Sequence, residues 1–307
     1  MVPLFVAIRG RVLLKGYAPD GDSIRFVPHA RDVARLAGLR RASLLRRSAT
    51  DGSVQLRLEG IDAPELHYEG ACQPRGACAR DALLAWLGVD VAGVRYAPGG
   101  AVIVSASPRT VPVTVLAAGI DAHGRVIAYL LPDARARAGA RARHVSLRMR
   151  VTDAVLRATA NYALVHQGHA YPLAYTSQPV AHRAAFRDAA RRARRARLGV
   201  WSEDATARGF GLHGGLRALG PHGALVVPKL FRRCVDYLGA REREGAARGN
   251  FVDWLAAHGS HGAAGAHAID RVVLPHAANV PFASLVRERD ARISLAVDPI
   301  NLVFVES

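Results

Sequence analysis

The run Arg57-Leu58-Glu59-Gly60-Ile61-Asp62-Ala63-Pro64-Glu65 sets an arginine and two carboxylates around a chain reversal. Val54, Leu56 and Leu58 alternate with Gln55, Arg57 and Glu59, the pattern of a strand with one apolar face, and Arg57 falls on the polar one. Pro64 fixes its own φ and biases Ala63 toward an extended conformation. Asp62 and Glu65 can therefore converge on one point, with the Ala63 carbonyl beside them. Upstream, Asp20-Gly21-Asp22 supplies further carboxylates at a glycine turn between two apolar runs. Alone, Asp-Gly-Asp is an ordinary hairpin turn and Asp-Ala-Pro-Glu a solvated loop. Together, two acidic turns and one strand arginine suggest a hard cation facing a phosphate.

Hydrolysis of a phosphodiester needs an activated water, neutralisation of charge at a pentacoordinate phosphorus, and help for the leaving oxygen. Asp22 and Asp62 offer hard oxygen ligands, and the Ala63 carbonyl offers a third. Neither turn contains His or Cys, which favours Ca²⁺ or a similar oxygen-loving cation over zinc.

The two acidic turns, in order with Gly124-Arg125-Val126-Ile127-Ala128-Tyr129, with Asn161-Tyr162-Ala163-Leu164-Val165 and Gly168-His169-Ala170, and with Leu198-Gly199-Val200-Trp201-Ser202-Glu203-Asp204, closely resemble the staphylococcal nuclease (thermonuclease) family. The resemblance runs from Phe5 to about Asp204 and implies a five-stranded OB-type barrel within an α+β fold. It further implies that Asp22, Asp62 and the Ala63 carbonyl bind calcium, with Asp20 acting through a bound water. The family usually has Thr where Ala63 stands; a backbone contact should tolerate the change. Glu65 is expected to orient or deprotonate the attacking water. Arg57 and Arg125 are expected to grip the phosphate through their forked donors, Arg125 near the leaving oxygen. Taken singly, Arg57 reads equally as a strand-surface ion-pair partner and Arg125 as a plain turn residue. Tyr175 and His123 stand where the family flanks the bound nucleotide, His123 replacing an aromatic phenol; Tyr175 reads as a stacking ring or as a half-buried core tyrosine.

The expected activity is calcium-dependent cleavage of DNA or RNA with little sequence preference, since no base-reading module is visible. The alternatives are a non-catalytic nucleic-acid-binding module of the same fold and an interaction scaffold in which the tail is the working part. Fold alone does not choose between them.

Composition narrows the setting. The net charge is +17 over 307 residues, and from Glu203 onward twelve basic residues face eleven acidic ones, leaving +16 before it. A field of that sign recruits polyanions, although an arginine-rich compositional bias produces the same charge. Cys72, Cys78 and Cys234 are too few for a disulfide framework in a chain of this length. Cys72 and Cys78 could bridge a short loop in an oxidising compartment. The N-terminus shows no basic start, long apolar stretch or small-residue cleavage site, so the expected compartment is cytoplasmic with reduced thiols, secretion being the runner-up. No apolar run approaches the roughly 18 residues of a membrane span, and no membrane partner is expected.

These residues need elements to carry them. Residues 6–14, 24–27 and 54–58 read as a strand meander, later joined by 111–116 and 126–131. Residues 32–47 form a basic insertion with Val33, Leu36 and Leu39 at helical spacing, expected to be a packed surface helix away from the Asp22 and Asp62 turns. Helices are expected over 79–87, 152–167 and 179–198, the last with a solvated arginine face and Ala181, Ala185, Ala189 and Ala193 inward. Residues 1–204 are expected to form the nuclease-like domain. Residues 205–307, with helices over 226–238 and 251–257 and short apolar strands, are expected to be a separate small α/β appendage dispensable for hydrolysis. His258, His261 and His267 lie in a Gly/Ala-rich stretch without ligand-spaced neighbours and are expected to be exposed, not zinc ligands.

Overall fold

The computed structural model describes residues 4–133, 148–244, 249–258, 260–261, 267–268, 270–274 and 277–306. Their contacts form two compact units, one of residues 1–59 and 80–164, the other of 60–79 and 165–307.

The first unit is built on a closed five-stranded barrel. Strands β1 (Leu4–Leu13), β2 (Ser23–Pro28) and β3 (Val54–Leu58) pair antiparallel in succession. After β4 (Ile61–Asp62), which belongs to the other unit, and a short hairpin of β5 (Arg95–Tyr96) and β6 (Ile103–Ser105), come β7 (Thr110–Ile120) and β8 (Val126–Pro132). β8 pairs antiparallel with β7 and parallel with β3, and β7 returns antiparallel to β1, closing the ring. Closure leaves no open edge among the five strands. β9 (Arg148–Arg150) adds to the start of β1.

The alternation seen in the sequence sets the inside of this barrel. Ile24, Phe26, Val54, Leu56, Leu58, Val126 and Tyr129 are buried, while Arg25 and Arg57 keep partial access to solvent. Register places Ser23 opposite Arg57 on one side and Ile127 beside Arg57 on the other. The strand arginine is therefore fixed between the Asp22 turn and the Arg125 turn.

The basic insertion departs from expectation. Ala30–Gly38 and Ala42–Leu44 are 3-10 turns, with no α-helix between β2 and β3. Only Leu36 and Leu39 of its apolar residues are deeply buried. The turns are held instead by Asp32, which is buried, accepts from the Arg9 backbone N–H and pairs with Arg35. Its far end meets the Arg125 turn, where the Arg46 N–H donates to the Gly124 carbonyl.

The helix expected over 152–167 is two helices, α2 (Asp153–Arg157) and α3 (Ala160–His166), following α1 (Gly76–Trp86). Thr159 makes the break: its hydroxyl donates to the Leu156 carbonyl and accepts from the Tyr162 N–H, capping the second helix. Asn161 is buried and ties strand ends together, donating to the carbonyls of Glu59 and Ala128 and accepting from the Leu130 N–H.

In the second unit, β4 pairs antiparallel with β10 (Tyr171–Pro172), Asp62 opposite Tyr171. β11 (Ala174–Tyr175) runs parallel to Val303–Phe304, which continues into a sheet with Arg271–Leu274 and Ala277–Pro281. Residues after Asp204 thus share a sheet with residues before it. Helix α4 (Val180–Arg195) buries Ala185, Phe186, Ala189 and Ala193, whereas Ala181 is exposed. Of its arginines, Arg187 and Arg191 bond to Asn301 and Arg194 forms a two-point pair with Asp298. Helices α5 (Pro228–Glu244) and α6 (Phe251–His258) follow; His258 stacks on Trp254, with ring centroids 5.0 Å apart. The side chains of His261 and His267 lie outside the described residues.

Gly60, between β3 and β4, has φ +81°, and a Cβ there would lie 2.3 Å from Gln178 Nε2 and 2.8 Å from Phe186. A side chain at that position meets both backbone strain and a filled space. No helix among the described residues is long and apolar enough to cross a membrane. The three cysteines are free thiols.

Candidate active site

In the first unit the Asp20-Gly21-Asp22 turn is shaped by Asp20, whose N–H donates to the Ser23 carbonyl and whose carboxylate accepts from the Gly21 N–H at 2.7 Å. Asp22 is buried, and its carbonyl accepts from the Leu58 N–H, which ties the turn to the end of β3. Arg57 Nη1 donates to Asp22 Oδ2 at 2.5 Å. The residue read as a phosphate ligand and the residue read as a metal ligand are thus each other's ion-pair partner.

Arg125 is held by Asp121, which is not among the residues singled out from sequence. The Asp121 carboxylate accepts from the backbone N–H groups of His123 and Arg125 at 2.9 Å, and from Arg125 Nε at 2.7 Å. One carboxylate both folds the turn and aims the arginine. The spacing Asp-x-x-x-Arg across a glycine turn was the available signal. Gly124 has φ +80°, and a Cβ there would lie 2.5 Å from Arg46 Cγ. Burial, and then the neighbouring Arg125 charge, push the His123 imidazole below its ordinary 6.5, which favours the uncharged ring.

In the second unit Asp62 and Ala63 are buried and Glu65 nearly so. Gln73 anchors the turn. Its amide oxygen accepts from the Glu65 N–H at 3.1 Å, its N–H donates to the Glu65 carbonyl at 2.7 Å, and its side-chain amide donates to the Val226 carbonyl at 2.7 Å. Asp62 and Glu65 converge, as the sequence suggested, on a single group: the guanidinium of Arg232 in α5. Nη1 and Nη2 donate to the two Asp62 oxygens at 3.2 and 3.0 Å, and Nη1 also donates to Glu65 Oε1. Burial disfavours the Arg232 charge, but the Asp62 and Glu65 charges outweigh it and hold its pKa well above the ordinary arginine value.

The helix around Arg232 is seated by further pairs. Arg233 bonds to Asp236 and Asp270, Lys229 pairs with Asp270 at 2.7 Å, and Tyr68 donates to Asp236 at 2.8 Å. Burial and the Asp236 charge drive the Tyr68 phenol well up, keeping it a hydrogen-bond donor. Nothing local in the sequence around residue 232 signalled the acidic turn, 167 residues away from it at Glu65. The one clue was two adjacent arginines on a segment whose neighbours Leu230, Phe231, Cys234 and Val235 are apolar. Tyr175 is half-buried on β11 with its ring 6.1 Å from that of Phe304.

Among the described residues no group of three or more His, Cys, Asp or Glu is disposed to hold a metal ion.

A chain in which β3 leads directly into the acidic turn, and in which an arginine turn precedes β8, meets its match in the family model described as staphylococcal nuclease homologue, over residues 55–203. That segment is similar to the staphylococcal nuclease homologue family, whose members are typically hydrolytic nucleases. Its match starts inside β3 and ends just short of Asp204. Among curated proteins nothing matches the chain.

Proposed function

We propose that the chain hydrolyses phosphodiester bonds of DNA or RNA, with little sequence preference. The observation that carries this reading is the pair of arginines, Arg57 and Arg125, each aimed by a carboxylate, within the segment that matches the nuclease family. The excess positive charge before residue 203 suits a polyanionic substrate.

In this reading Arg57 and Arg125 bind non-bridging phosphate oxygens. Each is held by a carboxylate, Asp22 or Asp121, that orients the planar donor fork before substrate arrives. Glu65 directs a water at phosphorus and takes its proton. The water oxygen bonds to phosphorus as the bond to one sugar oxygen breaks; Arg125 hydrogen-bonds that leaving oxygen, which takes a proton from solvent water while Glu65 returns its own to solvent. Tyr175 and His123 are proposed to flank the nucleotide. Glu65 acts only when Arg232 releases or shares its carboxylate.

Calcium is the ion the family generally uses. The carboxylates present do not fit it as they are arranged, because Arg232 takes both oxygens of Asp62 and Arg57 takes Asp22. No step of the reaction is therefore assigned to a metal. The engagement of Glu65 by Arg232 supports a second reading, a domain that binds nucleic acid without cutting it.

The two readings separate in one experiment. The full chain is mixed with a fluorescent single-stranded oligonucleotide of DNA or RNA, with calcium and with chelator, and both anisotropy and product length are followed. Shortened products support hydrolysis; stable binding of intact strands supports the second reading, and neither binding nor cleavage overturns both.

A further inference from the structure

We infer that Arg232 is a built-in cation of the acidic turn, occupying the position where a divalent ion would otherwise bind Asp62, so that the C-terminal part of the chain governs metal entry. The inference rests on reading Asp62 and Glu65 as site carboxylates. Its test reads cation binding and not hydrolysis.

Three observations bring Arg232 to this role. Its donors are matched to the acceptors: a two-point fork on Asp62, at 3.2 and 3.0 Å, with Nη1 shared to Glu65. That is the geometry in which guanidinium and carboxylate bind most specifically. The ion pairs are largely withdrawn from solvent, with side-chain exposures of 17% for Arg232, 3% for Asp62 and 12% for Glu65. Two carboxylates withdrawn this far require positive charge beside them. Finally, the neighbouring cations are committed elsewhere: Arg233 to Asp236 and Asp270, and Lys229 to Asp270. Those pairs seat the helix so that residue 232 is the one that reaches the turn.

The consequence is a competition. A divalent ion needs the same oxygens that the fork holds, and it can reach Asp62 only by expelling the guanidinium. Arg232 lies outside the segment that matches the nuclease family, residues 55–203, so this cation is supplied by a part of the chain the family model does not include.

Calcium binding to the full chain and to Arg232→Met is compared by calorimetry, alongside thermal unfolding in chelator and in millimolar calcium. The inference predicts that the wild-type chain unfolds at the same temperature in both solutions. Arg232→Met should unfold earlier in chelator and be restored by calcium, with affinity raised roughly tenfold or more. Adding Asp62→Asn to Arg232→Met should abolish the gain. If Arg232→Met does not fold in chelator, Arg232→Lys keeps the charge while losing the fork and should show a smaller gain in the same direction. Wild-type binding as tight as that of Arg232→Met, or no gain in either variant, overturns the inference.

Discussion

The guanidinium of Arg232 meets both carboxylate oxygens of Asp62 across 170 residues of sequence. With it come other ties within the same unit: Gln73 to Val226, Tyr68 to Asp236, β11 to Val303–Phe304, and Arg194 to Asp298. Residues 205–307, expected from sequence to be a separate and dispensable module, supply all of the later partners.

A chain ending at Asp204 loses Arg232 and the strand beside β11. We predict that it is less stable than the full chain by about 3 kcal/mol or more, the scale of breaking one buried ion pair. Thermal unfolding of both forms checks this. Equal unfolding temperatures and equal turnover would show that the tail is dispensable after all.

Arg57→Lys and Arg125→Lys keep the charge but lose the fork. Each should lower kcat/KM on the order of 10²-fold, the cost of removing one preorganised donor, while the fold survives. The check is turnover on an oligonucleotide together with circular dichroism. Wild-type rates in both variants would move the phosphate site elsewhere. Asp121→Ala should resemble Arg125→Lys, since Asp121 aims that arginine.

Asn161→Ala removes three buried hydrogen bonds that join Glu59, Ala128 and Leu130. At about 1 kcal/mol net for each bond, the expected loss is roughly 2 to 4 kcal/mol. Denaturant unfolding measures it. A loss below about 1 kcal/mol would mean that the strand ends are held without this side chain.

Acid should destabilise the chain through two histidines. Burial, then Arg125, lowers His123 below 6.5; burial, then Arg75, lowers His169. A folded pKa below the unfolded one means that the unfolded chain binds more protons in that window. The stabilisation is present above about pH 6.5 and is lost as pH falls through the folded values. Unfolding temperatures measured from about pH 7.5 down to about pH 5 should fall less for His169→Asn than for the wild type. Equal slopes would remove His169 from the account.

What the sequence made legible was whatever is local. The alternation of Val54, Leu56 and Leu58 yields β3, and its polar face yields a largely buried Arg57 that keeps partial access to solvent. Pro64 and its neighbours yield an acidic turn in which two carboxylates do converge. The five barrel strands follow from alternation and from resemblance together. The amphipathic spacing of residues 33–39 misled, because Asp32 satisfies backbone and arginine donors in a way that favours tight 3-10 turns. Thr159 sits where the apolar spacing predicts a helix interior, but its hydroxyl accepts from the Tyr162 N–H and caps a second helix instead. Arg232 was beyond local reading: its partners are chosen by tertiary packing, and no spacing rule relates residues 62 and 232.

Phosphodiester hydrolysis through the acidic turn is the central claim, and turnover of a single-stranded oligonucleotide by the full chain and by Glu65→Gln tests it most directly. The account predicts cleavage by the wild type and a loss on the order of 10²-fold in Glu65→Gln, with strand binding retained. Intact substrate after prolonged incubation with the wild type, or equal turnover by the two proteins, would contradict it.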